Sequence, residues 1–269
     1  MKADKILFVS DDNPQYYTFW PSISHYYKTY FGLDCKLFFI GEKTDQNAEY
    51  LTGDVQIVPP IPDIPVIIQA LWGKFWFTQT EPDTNWIIGD IDMYFFRKDY
   101  IFNSVDTIPD DGYGHLDYRG NNYYMGYLHC AKGSTFKKYL KLAPEFETDC
   151  RLIFESKRYG MWRNPGINIE RVKDKKDWQY ITCEEHLSNE RLLEFSENIY
   201  KFEFPNEFIR FESPHAAAGF NTPRDFNFVS AFFSMSPEFR KRCVYLHASR
   251  PYSYWKEQYE EIINYQLSH

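Results

Sequence analysis

Trp86-Ile87-Ile88-Gly89-Asp90-Ile91-Asp92-Met93-Tyr94-Phe95-Phe96 is an apolar run broken by two carboxylates two residues apart. Its flanks, Trp86–Ile88 and Met93–Phe96, have the composition of buried strand. Two ionised aspartates in such surroundings are costly unless a cation or hydrogen bonds compensate them. Hard carboxylate oxygens on one short turn suit Mg²⁺ or Mn²⁺, with phosphate oxygens completing the ion's shell. The other reading is a strand-end turn whose Asp side chains bond local backbone N–H groups. The pair alone leaves both open.

Upstream, strand and helix signals alternate. Lys5–Ser10 reads as a first strand, and Asp11-Asp12-Asn13-Pro14 as a polar turn at its carboxyl end. Tyr16, Phe19, Trp20, Ile23, Tyr27 and Tyr30 recur with a helical period up to Gly32, and Pro21 implies a kink or a second helix start. Lys36–Ile40 and Val55–Val58 are further strands. The Pro-rich loop after Val58 ends at Pro65, well placed to open a helix running through Phe77. This alternation predicts a mostly parallel sheet flanked by helices, with the binding crevice at the carboxyl ends of its strands. Asp11 and the Asp90/Asp92 pair both fall at that end.

Downstream the pattern is looser. Residues 106–122 have loop composition, and Tyr123–Ala131 reads as a strand. Ser134 is placed to cap a helix over Thr135–Leu142, and Thr148-Asp149 precedes a helical segment from Cys150 to Tyr159. A hairpin is expected within residues 161–182, a polar helix over Glu184–Phe195 and loops over 196–235. Val244–His247 is a last strand and Tyr254–Leu267 an amphipathic helix. With no repeat or linker in view, residues 1–269 are expected to form a single domain, a nucleotide-binding half of about 1–100 and an acceptor half of about 101–269.

Composition bounds the partners. A formal charge of −8 argues against a nucleic-acid backbone, though a metal can bring the positive charge a nucleotide needs. Five scattered cysteines without a CxxC pair suggest neither a disulfide framework nor a zinc site, and a cytoplasmic setting is the simplest expectation. No signal peptide or transmembrane segment is expected. Aromatic residues make up 20%; most of these rings are expected in the core, and a surplus beside a cleft would suit sugar or base stacking.

The Asp90-Ile91-Asp92 element, after a buried strand and a βαβ start, resembles the DxD motif of GT-A-fold glycosyltransferases. Two later segments match in the family's order. His247-Ala248-Ser249-Arg250 is similar to the late histidine segment, without its usual glycine and lysine. Thr148-Asp149-Cys150 is similar to the acidic helix start of inverting members, with Thr148 where Glu is common; Cys150 stands where retaining members have Gln. The resemblance implies a Rossmann-like, mixed and mostly parallel sheet. It also implies a metal-dependent hexosyl- or pentosyltransferase that moves a sugar from a nucleoside diphosphate, most naturally a UDP-sugar, to a hydroxyl of a glycan or glycoconjugate. Asp90, Asp92 and His247 would hold Mn²⁺ or Mg²⁺. Asp90, Arg250, Lys74 and Asp11 would contact the donor, and Asp149 would be the general base of an inverting reaction. Asp117 and Tyr118 fall where such enzymes contact sugar, and Glu185, in Glu184-Glu185-His186, is a reserve base. The competing classes are a nucleotidyltransferase or sugar-nucleotide pyrophosphorylase, disfavoured by the acidic turn after the first strand, and a non-catalytic carbohydrate-binding protein, which leaves the Asp pair unexplained.

Overall fold

The computed structural model describes residues 1–118, 124, 127–156, 183–205, 209–212, 232–248 and 252–268. The first half follows the hydrophobic pattern closely. β1 (Lys5–Asp11), β2 (Asp34–Ile40), β3 (Val55–Val58) and β4 (Asn85–Ile88) form the parallel part of a sheet in which β1 lies between β2 and β4. The order reverses at β1, so the crevice opens beyond the carboxyl ends of β1 and β4. β7 (His129–Lys132), β6 (Tyr113–His115) and β8 (Ile199–Lys201) extend this sheet, β7 antiparallel to both β4 and β6, and β8 parallel to β6. The described order is β3-β2-β1-β4-β7-β6-β8. The expected mixed, mostly parallel sheet flanked by helices is therefore what the chain builds.

Alternate strand residues feed two cores. Ile6, Phe8, Leu37, Phe39 and Ile87 face one side, and Leu7, Phe38, Ile40, Trp86 and Ile88 the other. The second side is covered by α3 (Val66–Trp76), α5 (Gly133–Tyr139), α6 (Phe146–Ser156) and α7 (Cys183–Leu193). The first is covered by α1 (Pro14–Tyr17), α2 (Trp20–Tyr26), α4 (Lys98–Asp106) and an aromatic layer that includes a second sheet. A sheet buried on both faces explains why its strands read as continuous apolar runs.

Several expectations are resolved or corrected among the described residues. Pro21 starts a second helix, α2, which continues as a π-helical turn over Tyr27–Phe31 and stops at Gly32, whose φ of +72° suits a residue without Cβ. Residues 106–122 contain the end of α4 and the short strand β6. Of the strand expected over Tyr123–Ala131, the described part is strand only over His129–Lys132, preceded by Leu128 with a left-handed φ of 58°. α5 begins at Gly133 without a side-chain cap: the Gly133 and Ser134 N–H groups donate to Thr84 O and Pro82 O instead. α6 starts at Phe146, four residues earlier than expected, because the Phe146 ring packs at a tilt against Trp76 and Phe77, with centroids 5.2 and 4.9 Å away. Residues 196–235 include β8 and β9 (Ile209–Glu212), while the hairpin expected at 161–182 lies outside the described residues.

The largest correction concerns the deciding stretch. Its flanks belong to different sheets. β5 (Met93–Phe95) turns out of β4 and pairs antiparallel with β10 (Cys243–His247), which runs parallel to β9. The described order of this second sheet is β5-β10-β9, leaving β5 at an edge. That edge is covered by tyrosines. Tyr27 Oη donates to Met93 O at 2.9 Å and accepts the Phe95 N–H at 3.2 Å, Tyr26 Oη donates to Phe95 O at 2.5 Å, and Tyr30 Oη to Phe96 O at 2.8 Å. Burial pushes the Tyr26 and Tyr27 phenols well above their ordinary range, and Tyr30 upward too, so all three remain donors. The short helix α8 (Pro237–Arg240) precedes β10 and the 17-residue α9 (Tyr252–Ser268) follows it, the latter packing Tyr252, Trp255 and Tyr259 into the same aromatic layer.

Candidate active site

The turn between β4 and β5 sits where the two sheets part. Asp90 O accepts the Met93 N–H at 3.0 Å, which closes the turn and sends the chain into the second sheet. The two aspartates consequently meet different partners.

Asp90 is met by Lys74. Gly73 lets α3 approach β1, since a Cβ there would stand 3.3 Å from Val9 Cγ1 and 2.9 Å from the Phe77 ring. The close packing carries Lys74 into the interior, where it is 4% exposed, and its ammonium stands 2.8 Å from Asp90 Oδ1. A cation buried this far is tolerable because a carboxylate accompanies it.

Asp92 is met by His247. The antiparallel register pairs His247 with Met93, and the Ala248 N–H donates to Asp92 O at 2.7 Å. This brings His247 Nε2 to 3.5 Å from Asp92 Oδ1, although the two residues are far apart in sequence. Asp92 is 4% exposed. Two ligands at right angles on an ion with bonds of about 2.1 Å lie roughly 3 Å apart, so the 3.5 Å spacing is within easy adjustment of shared coordination. Carboxylate and imidazole are a donor set that Mn²⁺ accepts. Among the described residues no three His, Cys, Asp or Glu side chains converge on one point. The shell they offer is partial, as suits an ion that also takes phosphate and water oxygens.

The remaining expected residues divide. Asp11 ends β1 beside the same crevice, where its Oδ1 accepts the Asn13 N–H at 3.2 Å and so helps start α1. Arg250 lies outside the described residues, as do the side chains of Glu184, Glu185 and His186. Asp149 is not joined to the site. It lies inside α6, on the far side of the first sheet from the layer that holds β10. Its Oδ2 accepts the Ala143 N–H at 3.0 Å and its Oδ1 pairs with Arg191 Nη2 at 2.9 Å. Arg191 also donates to Leu140 O at 2.6 Å, and its guanidinium lies over the Trp72 ring, 5.3 Å from the centroid. With its residue 2% exposed, Asp149 locks α6 to α7 in this arrangement.

Sheet register adds residues that the motifs did not single out. Ile88, the last residue of β4, pairs with His129, which pairs with His115, which pairs with Lys201. A polar row therefore continues sideways from the aspartate turn. Tyr113 Oη and His129 Nδ1 are 3.0 Å apart, and Tyr127 Oη donates to Asp117 Oδ2 at 3.1 Å. Lys201 Nζ lies 5.1 Å from the Tyr118 ring and 5.6 Å from Tyr124. The only signal in the sequence was polar residues in short apolar strands.

No family model and no curated protein matches this sequence. Solved structures do resemble it. An active-site mutant of LgtC is 14% identical with a TM-score of 0.49, the match covering 97% of this chain and 95% of that one. The glycosyltransferase GlyE of Streptococcus pneumoniae TIGR4 is 10% identical with a TM-score of 0.46, covering 100% and 64%. A glycosyltransferase involved in glycosylation of the major capsid of PBCV-1 is 12% identical with a TM-score of 0.40, covering 96% and 98%. Among the described residues no helix is long and apolar enough to cross a membrane.

Proposed function

We propose that this chain is a GT-A-type glycosyltransferase that moves a sugar from a nucleoside diphosphate, most naturally UDP, to a hydroxyl of a glycan or glycoconjugate. One observation carries the reading. Asp90 with Lys74, and Asp92 with His247, converge from two sheets on one turn at the strands' carboxyl ends. Asp92 and His247 are the pair that would hold Mn²⁺ or Mg²⁺, with Asp90 joining from the other side of the same turn as the ion and diphosphate bind. A divalent ion there would offset charge building on the departing diphosphate. Lys74 supplies a fixed positive charge beside the same turn, and its burial makes that charge effective because little water screens it. Arg250, three residues beyond His247, would add a bidentate phosphate contact, and Asp11 would meet the ribose or base.

Asp149 is reassigned. A general base needs an oxygen within reach of the acceptor hydroxyl, and both of its oxygens are already bonded in the helical layer. We read it as an architectural residue and place acceptor recognition along the row containing Asp117, Tyr118 and Lys201. The test is a thermal-shift screen of nucleotides and nucleotide-sugars with and without Mn²⁺, followed by product analysis. The reading expects stabilisation by a UDP-sugar with Mn²⁺ of roughly 2.7 kcal/mol at a hundred times Kd. It also expects release of UDP and loss of turnover in EDTA. Release of pyrophosphate would replace it with nucleotidyl transfer, and glycan binding indifferent to nucleotide and metal would replace it with a carbohydrate-binding protein.

A further inference from the structure

The two halves of the candidate site hang from different sheets. Lys74 and Asp90 belong to the end of β4 and to α3, whereas Asp92 and His247 are held through β5 and β10. Anything that must touch both pairs depends on how the small sheet is registered against the large one. Tyr27 makes that registration. Its ring packs on Phe8 of β1 with centroids 5.6 Å apart, and its hydroxyl reaches the open edge of β5. There the single Oη supplies what a neighbouring strand would: it donates to Met93 O and accepts from the Phe95 N–H. Met93 is both the residue after Asp92 and the register partner of His247. Tyr26 and Tyr30 extend the same contact to Phe95 O and Phe96 O.

We infer that the Tyr27 hydroxyl, supported by those of Tyr26 and Tyr30, is a positioning element that sets the spacing between Asp90 and the Asp92–His247 pair, and thereby tunes affinity for a divalent cation. This rests on the metal reading given above. The row does more than cover an edge. A strand edge can be protected by charge, brevity or a bulge, whereas hydroxyls bonded to the Met93, Phe95 and Phe96 carbonyls fix the strand's position along its own axis.

The experiment is Mn²⁺ titration of the purified full chain, followed by electron paramagnetic resonance, on wild type, Tyr27→Phe and Asp92→Ala. Melting temperature is recorded for each. Tyr27→Phe keeps the ring and removes both hydrogen bonds. It is expected to raise the Mn²⁺ Kd about tenfold, a change of the size of one net hydrogen bond. Glu81→Gln, a destabilising change at the other end of the sheet, is expected to lower the melting temperature without moving Kd. If Tyr27→Phe binds Mn²⁺ as wild type does, or if Glu81→Gln weakens binding equally, the inference fails while the metal reading stands. If wild type binds no more Mn²⁺ than Asp92→Ala, both fail. Should Tyr27→Phe not fold, Tyr30→Phe at the half-buried end of the row serves. Its Kd is expected to rise about threefold, and an unchanged Kd overturns the inference.

Discussion

Two carboxylate–cation pairs of nearly equal length lie on the same helical side of the large sheet, and their surroundings are opposite. Asp90 meets Lys74 at 2.8 Å and Asp149 meets Arg191 at 2.9 Å. The Asp149 side chain is 2% exposed, with both oxygens bonded; the Asp90 side chain is 29% exposed, with one bonded oxygen among the described residues. A buried charge whose lone pairs are all occupied is architecture, because any new ligand must first break a bond in a dry interior. A carboxylate anchored through one oxygen and open at the other can accept a ligand without unfolding anything. Motif spacing treats the two as equals, and their surroundings separate them.

The contrast can be broken most forcefully at Asp149. Asp149→Ala leaves Arg191 buried without its partner and is expected to lower unfolding free energy by about 3–5 kcal/mol, read by denaturant titration. A variant that keeps its stability and loses turnover would make Asp149 the base after all. On the same turn as Asp90, Asp92→Ala should cost roughly a hundredfold or more in Mn²⁺ affinity and turnover. Lys74→Met sharpens the comparison between the halves. Donor Kd should rise about tenfold by calorimetry, the effect shrinking as salt is added. The smallest effect lies at the opposite end of the sheet, where Glu81 meets Lys36 at 2.5 Å and Lys5 at 3.1 Å. Burial would raise the Glu81 carboxyl, but hydrogen bonds from both lysines outweigh it and hold the group below its ordinary value. A lowered carboxylate contributes stability above the unfolded-state value and loses it as pH falls through the folded-state value. Glu81→Gln should therefore cost about 1 kcal/mol at pH 7, and that cost should fade as pH falls below the ordinary carboxylate range and through the lowered folded-state value.

Legibility followed contact distance along the chain. β1 through β4 and α3 were readable because a both-sides-buried strand leaves an unbroken apolar run, and a helix between strands leaves its period. The turn at Asp90 was legible for the same reason. β6 was missed because three residues carry no period, and α6 was started late because its anchor is the packing of Phe146 against Trp76 and Phe77. The free, buried thiols of Cys35, Cys130, Cys150 and Cys243 agree with the absence of a disulfide pattern; burial pushes the Cys243 thiol up to about 12 and the others higher. The aromatic surplus was read as core with a reserve for stacking. The structure adds that Tyr26, Tyr27 and Tyr30 act through their hydroxyls, and a hydroxyl's partner is not written in spacing.

By itself the sequence determined the alternation of strand and helix, the place of the acidic pair after the fourth strand, and the chemistry of its side chains. Those depend on period, burial tendency and residue type, which are local. Only the tertiary structure decided that Asp90 and Asp92 face different partners, that His247 joins one of them, and that Asp149 is sealed in a helical layer. These outcomes depend on which β5 edge meets β10 and which face of α6 meets α7. Such choices are made by packing between residues that the chain keeps far apart.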